Sequence, residues 1–131
     1  MAGTLTIGTL SDGTNSTSAT NAIQGSAKAW VNFNGVTTTT IRASYNVSSV
    51  TRNGTGDYTV NFTNALADVN FSPSCLGSTT AGGAATNGAV CIEFLAAGPA
   101  LSRTTTSFRF YSLGSSWTNQ DAYSLNVAVF R

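Results

Sequence analysis

An all-β chain, folded as an antiparallel β-sandwich or jelly-roll-like domain, is what this sequence predicts, and three observations carry that. Thr, Val, Tyr and Phe, which fit a pleated half-buried surface, are abundant, whereas the helix formers Glu and Lys occur once each among 131 residues. Short runs alternate apolar and polar residues with a period of two. Turn signals rich in Gly, Asn and Ser separate these runs at intervals of roughly 8–15 residues, the spacing of antiparallel sandwiches and barrels. One domain suits this length. A chain of this size can bury roughly two-thirds of its unfolded surface, enough for a core of its own.

Taken in order, residues 1–26 alternate only weakly, at Leu5, Ile7 and Leu10, before a polar tract. They predict an extended N-terminal arm or docking segment, with a hairpin turn at Asp12 and Gly13 as the other reading. The β-sandwich domain is expected over 27–131. Ala27, Ala29, Val31 and Phe33 share one face of a first strand, and Lys28, Trp30 and Asn32 the other. A turn at Asn34 and Gly35 leads to a second strand in which Ile41, Ala43, Tyr45 and Val47 alternate with Arg42, Ser44, Asn46 and Ser48. Val50 marks a third short segment. Residues 52–57 (RNGTGD) form the clearest hairpin signal, because Asn-Gly readily supplies positive φ angles. Tyr58, Val60 and Phe62 then form a core face.

The second half is read in the same way. Residues 65–68 predict one helical turn. Val69 and Phe71 open a strand that Pro73 ends. A Gly-rich loop spans 77–88, and Val90, Ile92 and Phe94 alternate with Cys91 and Glu93. Phe108 and Phe110 face the core opposite Arg109 and Tyr111. A loop over 113–120 carries Trp117, and the last strand places Tyr123, Leu125, Val127 and Val129 on one face. Cys75 and Cys91 lie outside any Cys-x-x-Cys pattern. They read as two small buried hydrophobes, or as a disulfide closing the loop between them.

Charge narrows the function classes. Charged residues make up 8% of the chain, against about a quarter in ordinary domains, and Ser and Thr fill about 28%. Net charge is +1 with no basic cluster, which argues against a nucleic-acid or anionic-membrane partner. No apolar run is long enough to insert in a bilayer, and the first residues lack the pattern of a secretory signal. A surface this poor in charge is what subunit interfaces show, so a homo-oligomer is expected. The chain has no histidine, which removes the Ser-His-Asp triad, the Cys-His pair and the commonest zinc ligand. No phosphate or dinucleotide fingerprint occurs, so no cofactor is expected. The five acids show no spacing that pairs two across a cleft as a glycosidase needs. The expectation is a protein that is not an enzyme.

Aromatic residues are the better binding candidates. Trp117 and Asn119, in a loop resembling adaptable recognition loops, together with Tyr111, are the candidate receptor-binding residues. Lys28, Trp30, Arg42 and Tyr45 are the candidate subunit-interface residues. Arg42 and Arg109 are expected to pair with Asp57 or Glu93 within the assembly.

Three segments carry a family resemblance: AKAWVNFNG, IRASYNVSSVTRNGTGDYTVNF and AYSLNVAVFR. Together they resemble a recurring module of bacteriophage tail-fibre and other virion proteins, over roughly a third of the chain. The resemblance implies a homotrimeric β-structured virion component, made in the host cytoplasm. It would bind itself and other virion proteins, and at a fibre or spike tip it would touch a host surface glycan or protein. Residues 72–107 match nothing in that module and are where specificity would vary. Because the signature begins within thirty residues of Met1, a capsid decoration (cement) protein held by its N-terminal arm is the alternative. A free carbohydrate-binding module is the reading from another class.

Overall fold

The computed structural model describes residues 3, 5–79, 88–93, 103–114 and 116–131, with no side-chain description for 88–90 and 93. A small hairpin, β1 (Thr9–Ser11) and β2 (Ser16–Ser18), is followed by helix α1 (Ala19–Gly25). Eight strands come next: β3 (Ala27–Asn34), β4 (Thr40–Tyr45), β5 (Val47–Gly54), β6 (Asp57–Phe62), β7 (Ser72–Ser78), β8 (Gly88–Glu93), β9 (Ser107–Leu113) and β10 (Ser124–Phe130).

These eight strands are hydrogen-bonded in the order β4-β3-β10-β7-β8-β9-β6-β5, each neighbour antiparallel. The sheet folds back on itself, so that β4-β3-β10-β7 faces β8-β9-β6-β5 across a single core. Ala29, Val31 and Phe33 from β3 and Leu125, Val127 and Val129 from β10 meet Tyr58, Val60 and Phe62 from β6 and Phe108 and Phe110 from β9. Phe33 meets Tyr58 edge-on with ring centroids 5.4 Å apart, and Phe108 stacks on Phe110 at the same distance. Period-two alternation selects these residues: each buried side chain of this kind stabilises the fold by about 1.5–3 kcal/mol, and a one-residue slip would expose them all. The all-β sandwich is therefore the fold.

At the seam between the halves, β8 meets β7 only at Gly77↔Ala89 and Ser78↔Gly88 among the described residues, whereas four pairs join it to β9. A disulfide between Cys75 and Cys91, with Cα atoms 5.8 Å apart, fastens this seam. The reading as two free buried thiols is corrected. Both cysteines pack against the core, and topology brings them together from strands whose ladder is short. The disulfide also corrects the phase of β8: Cys91 turns inward, leaving Ile92 exposed. Phe94 and most of the 77–88 loop lie outside the described residues, but residues 77 and 78 belong to β7.

Several local readings are corrected. The strand expected to run from Ile41 to Ser48 is two strands in opposite halves, broken at Asn46, whose φ of 53° turns the chain. The Asn46 side chain holds this corner by donating to Lys28 O (3.1 Å) and Asn64 O (3.2 Å) and accepting from Asn64 N (2.8 Å). A bulge opposite Asn32 and Phe33 inserts Arg42 and inverts the outer part of β4, so Tyr45 points out rather than joining Ile41 toward the core. The β5–β6 turn sits at Thr55 and Gly56, with positive φ at Gly56 and not at Asn53. Gly is required there, since a Cβ would lie 2.4 Å from Gln120 N. Residues 65–68 are not helical. Pro73 lies inside β7, opposite Val129, where β7 has no described ladder partner on its other side. Tyr123 falls just before β10 and is exposed.

The N-terminal segment is a hairpin and a helix rather than an extended arm. Asp12 builds the β1–β2 turn by accepting from Thr14 N (2.9 Å) and Asn15 N (2.7 Å), and these bonds lower its carboxyl to about 2. Ser18 caps α1 by accepting from Asn21 N at 3.1 Å. The sequence gave no periodic signal for this seven-residue helix, which buries no residue. Leu5, Ile7, Leu10 and Ile23 are all exposed.

Candidate functional site

At one end of the sandwich, the loop after β9 presents the most exposed tryptophan. Gly114 N donates to Thr118 O at 3.0 Å and Trp117 N to Gly114 O at 3.0 Å, while Asn119 bridges back to Leu113. Gln120 N donates to Ser112 O at 2.9 Å and closes the loop. On this frame Trp117 has φ 57° and is 73% exposed. A bulky residue in the left-handed region is strained, by roughly 1–2 kcal/mol. Here no burial of the indole offsets that strain.

Asp121, just past the loop, holds this end together. Its carboxylate accepts from Arg52 Nε and Nη2 (2.7 Å at the shortest), from Gly56 N (2.8 Å) and from the Tyr58 hydroxyl (2.9 Å). Tyr58 Oη also lies 3.0 Å from Gly35 O, and Gly35 N donates to Ala122 O at 2.9 Å. One carboxylate therefore ties the turns around Gly35 and Gly56 to the Trp117 loop. Burial pushes the Asp121 carboxyl up, but the Arg52 guanidinium, Gly56 N–H and Tyr58 hydroxyl together hold it below the ordinary carboxylate range. Tyr58 is pushed up, chiefly by burial.

Asn119 and Tyr111 are both anchored on the end of β9, with Trp117 on the loop beyond, so the three candidate receptor-binding residues share one region. Tyr111 is half-buried on the outer face of its half-sheet, in register with Asp57 and Ile92. Next to it, Arg109 grips Asp57 with both arms, at 2.8 and 2.5 Å, and Asn53 donates to Asp57 and Thr59. The Arg109 bonds hold the Asp57 carboxyl below its usual range. The pairing of Arg109 with Asp57 is thus made within one chain, which corrects its expected place between subunits.

The opposite outer face, on β4-β3-β10-β7, differs in kind. Trp30 and Tyr45 are cross-strand neighbours, 41% and 58% exposed. Ala128 lies beside Trp30, and Leu76, 71% exposed, lies beside Asn126. Asn32 and Asn126 hydrogen-bond at 2.6 Å in the middle. A groove of about 330 Å³ runs between Trp30 and Leu76. Two of the four candidate interface residues, Trp30 and Tyr45, are brought together here. The other two turn away: Arg42 donates to Tyr123 O (2.7 Å) and covers the Tyr123 ring, and Lys28 caps the end of α1 through Ile23 O and Ser26. Leu76, Asn126 and Ala128 escaped the sequence reading. Alternation along β7 and β10 marks them as outward, but only strand order places them beside Trp30.

The acids are engaged in holding the fold. Asp57, Asp121 and Asp68 pair with Arg109, Arg52 and Arg131, and Asp12 builds a turn. The Glu93 side chain lies outside the described residues. A cleft of about 450 Å³ beside the disulfide is lined by Phe71, Cys75, Cys91 and Ile92, with Arg103 as its one ionisable group among the described residues. Among those residues no three potential metal ligands cluster. No helix is long and apolar enough to cross a membrane. Comparison with known proteins finds no matching family model, no matching curated protein and no matching solved structure.

Proposed function

We propose that this chain is a non-enzymatic bacteriophage virion structural protein, the tip domain of a homotrimeric tail fibre or spike, which attaches to the host surface through the loop carrying Trp117. The observation that carries this reading is the indole itself: large, exposed and held in a strained left-handed conformation on a loop pinned to a rigid sandwich. Strain kept where it gives no packing return points to a contact outside the chain. An exposed aromatic ring beside Asn119 suits a glycan ring or an apolar protein side chain. The resemblance of residues 27–62 and 122–131 to tail-fibre modules supports the virion context.

Trp117→Gly tests this reading. Glycine accepts the left-handed backbone, so the melting temperature should stay level or rise. Binding to host cells or to a glycan array should fall by at least about tenfold, as for a central aromatic contact. Unchanged binding would overturn the attachment reading. Capsid decoration is the second reading, favoured by the N-terminal hairpin and helix, which project with apolar residues exposed. Gold labelling of intact virions separates tail from shell. A free carbohydrate-binding module is the third reading; it predicts glycan binding by a monomer.

A further inference from the structure

We infer that the outer face of β4-β3-β10-β7 is the surface through which copies of this chain assemble, with the exposed apolar side chains of the N-terminal segment completing the contact. This deepens the oligomeric part of the proposed function and rests on it. The two outer faces of the sandwich differ in a way that folding alone does not require. On β5, β6 and β9 the outward residues satisfy one another: Arg109 with Asp57, Asn53 with Thr59, Asn61 with Ser49 and Thr51. On the other face Trp30, Tyr45, Ala128 and Leu76 expose apolar surface around one Asn32–Asn126 pair, and none of these six residues is charged. Exposed aromatic surface with charge removed is the composition of an interface core, and a contiguous apolar patch of this kind is otherwise rare on a monomer.

Size identifies the occupant. Four strands spaced about 4.8 Å apart, with β3 eight residues long, make a face of roughly 19 by 26 Å, or about 500 Å² in projection. A stable protein interface takes about 800 Å² from each partner. The face alone falls short by about 300 Å². The same chain carries a second unpartnered apolar surface in Leu5, Ile7, Leu10 and Ile23, set immediately before β3. Each copy therefore holds both parts of a contact of the required size. Lys28, bonded to Ile23 O and Ser26, fixes how that segment leaves the sheet.

Sedimentation velocity of the full chain over two decades of concentration tests this. The wild type should be a concentration-dependent oligomer. Leu76→Lys and Tyr45→Lys, at the two edges of the face and both exposed enough to leave the fold intact, should each raise the dissociation constant by about a hundredfold. Their circular dichroism spectra should match the wild type's. Thr59→Lys, on the polar face, should leave the oligomer unchanged. A wild type that stays monomeric at every concentration overturns both this face and the oligomeric reading. An oligomer indifferent to both face variants, or one dissolved by Thr59→Lys, overturns the face alone and leaves that reading standing.

Discussion

Asp121→Ala is expected to lower stability by about 3 kcal/mol and the melting temperature by roughly 10 °C. The substitution removes one acceptor that serves three elements. Arg52 is left with a largely covered guanidinium; its side chain is 26% exposed, and that of Asp121 is 18%. Gly56 N–H and the Tyr58 hydroxyl lose their bonds in the same step. Partial exposure keeps the cost at the lower end of that for a broken buried pair. Asp121→Asn retains an acceptor for Gly56 and Tyr58 and should cost about half as much. Thermal unfolding of the two variants checks the order, and a loss under about 1 kcal/mol for the alanine variant would contradict the hub.

The same carboxylate sets an acid limit. Its folded pKa lies below its unfolded value, so its contribution is present above the unfolded value of about 3.9 and fades as pH falls from there toward the folded one. Asp57 and Asp68, lowered first by Arg109 and Arg131, follow the same sign. With no histidine in the chain, no side chain ordinarily titrates between pH 5 and 8. The wild-type melting temperature should therefore be flat across that range and fall below about pH 4. Asp121→Ala should show a shallower acid slope.

Removing the disulfide is the second large effect. The double variant Cys75→Ala, Cys91→Ala should lose about 3 kcal/mol, the value for a loop of this length, given the sixteen positions between the cysteines. Alanine keeps an apolar group against the core, so the loss reports the cross-link more than a cavity. The position raises its importance: β7 is tied along its length to β10, and β8 to β9, but the two ladder pairs at 77–78 are all that otherwise join β7 to β8 among the described residues. Dithiothreitol should bring the wild type down to the melting temperature of the double variant and leave the variant unmoved. Equal melting temperatures for oxidised wild type and variant would show that the seam holds without the bond.

The candidate sites were legible to different depths. Trp117 could be found because a tryptophan within a Ser, Gly and Asn loop stands out in any linear reading. Its left-handed φ could not, because Trp has no preference that announces it. Trp30 was read as outward from alternation in β3. Tyr45 was named for the interface, although simple alternation puts it with Ile41; the Arg42 bulge resolves that conflict. Leu76 and Ala128 needed the strand order β3-β10-β7, which brings together residues 30, 128 and 74 from the start, end and middle of the chain.

By itself, the sequence determined the all-β class, the inward residues of β3, β6, β9 and β10, and the absence of histidine chemistry. Those properties depend on neighbours one or two positions away, and period-two alternation records them directly. Tertiary structure decided the Asn46 corner, the Cys75–Cys91 bond, the Asp121 hub and the uncharged face around Trp30. Each of these joins residues distant in sequence, and its energy exists only once the folded sheet has brought them within bonding distance.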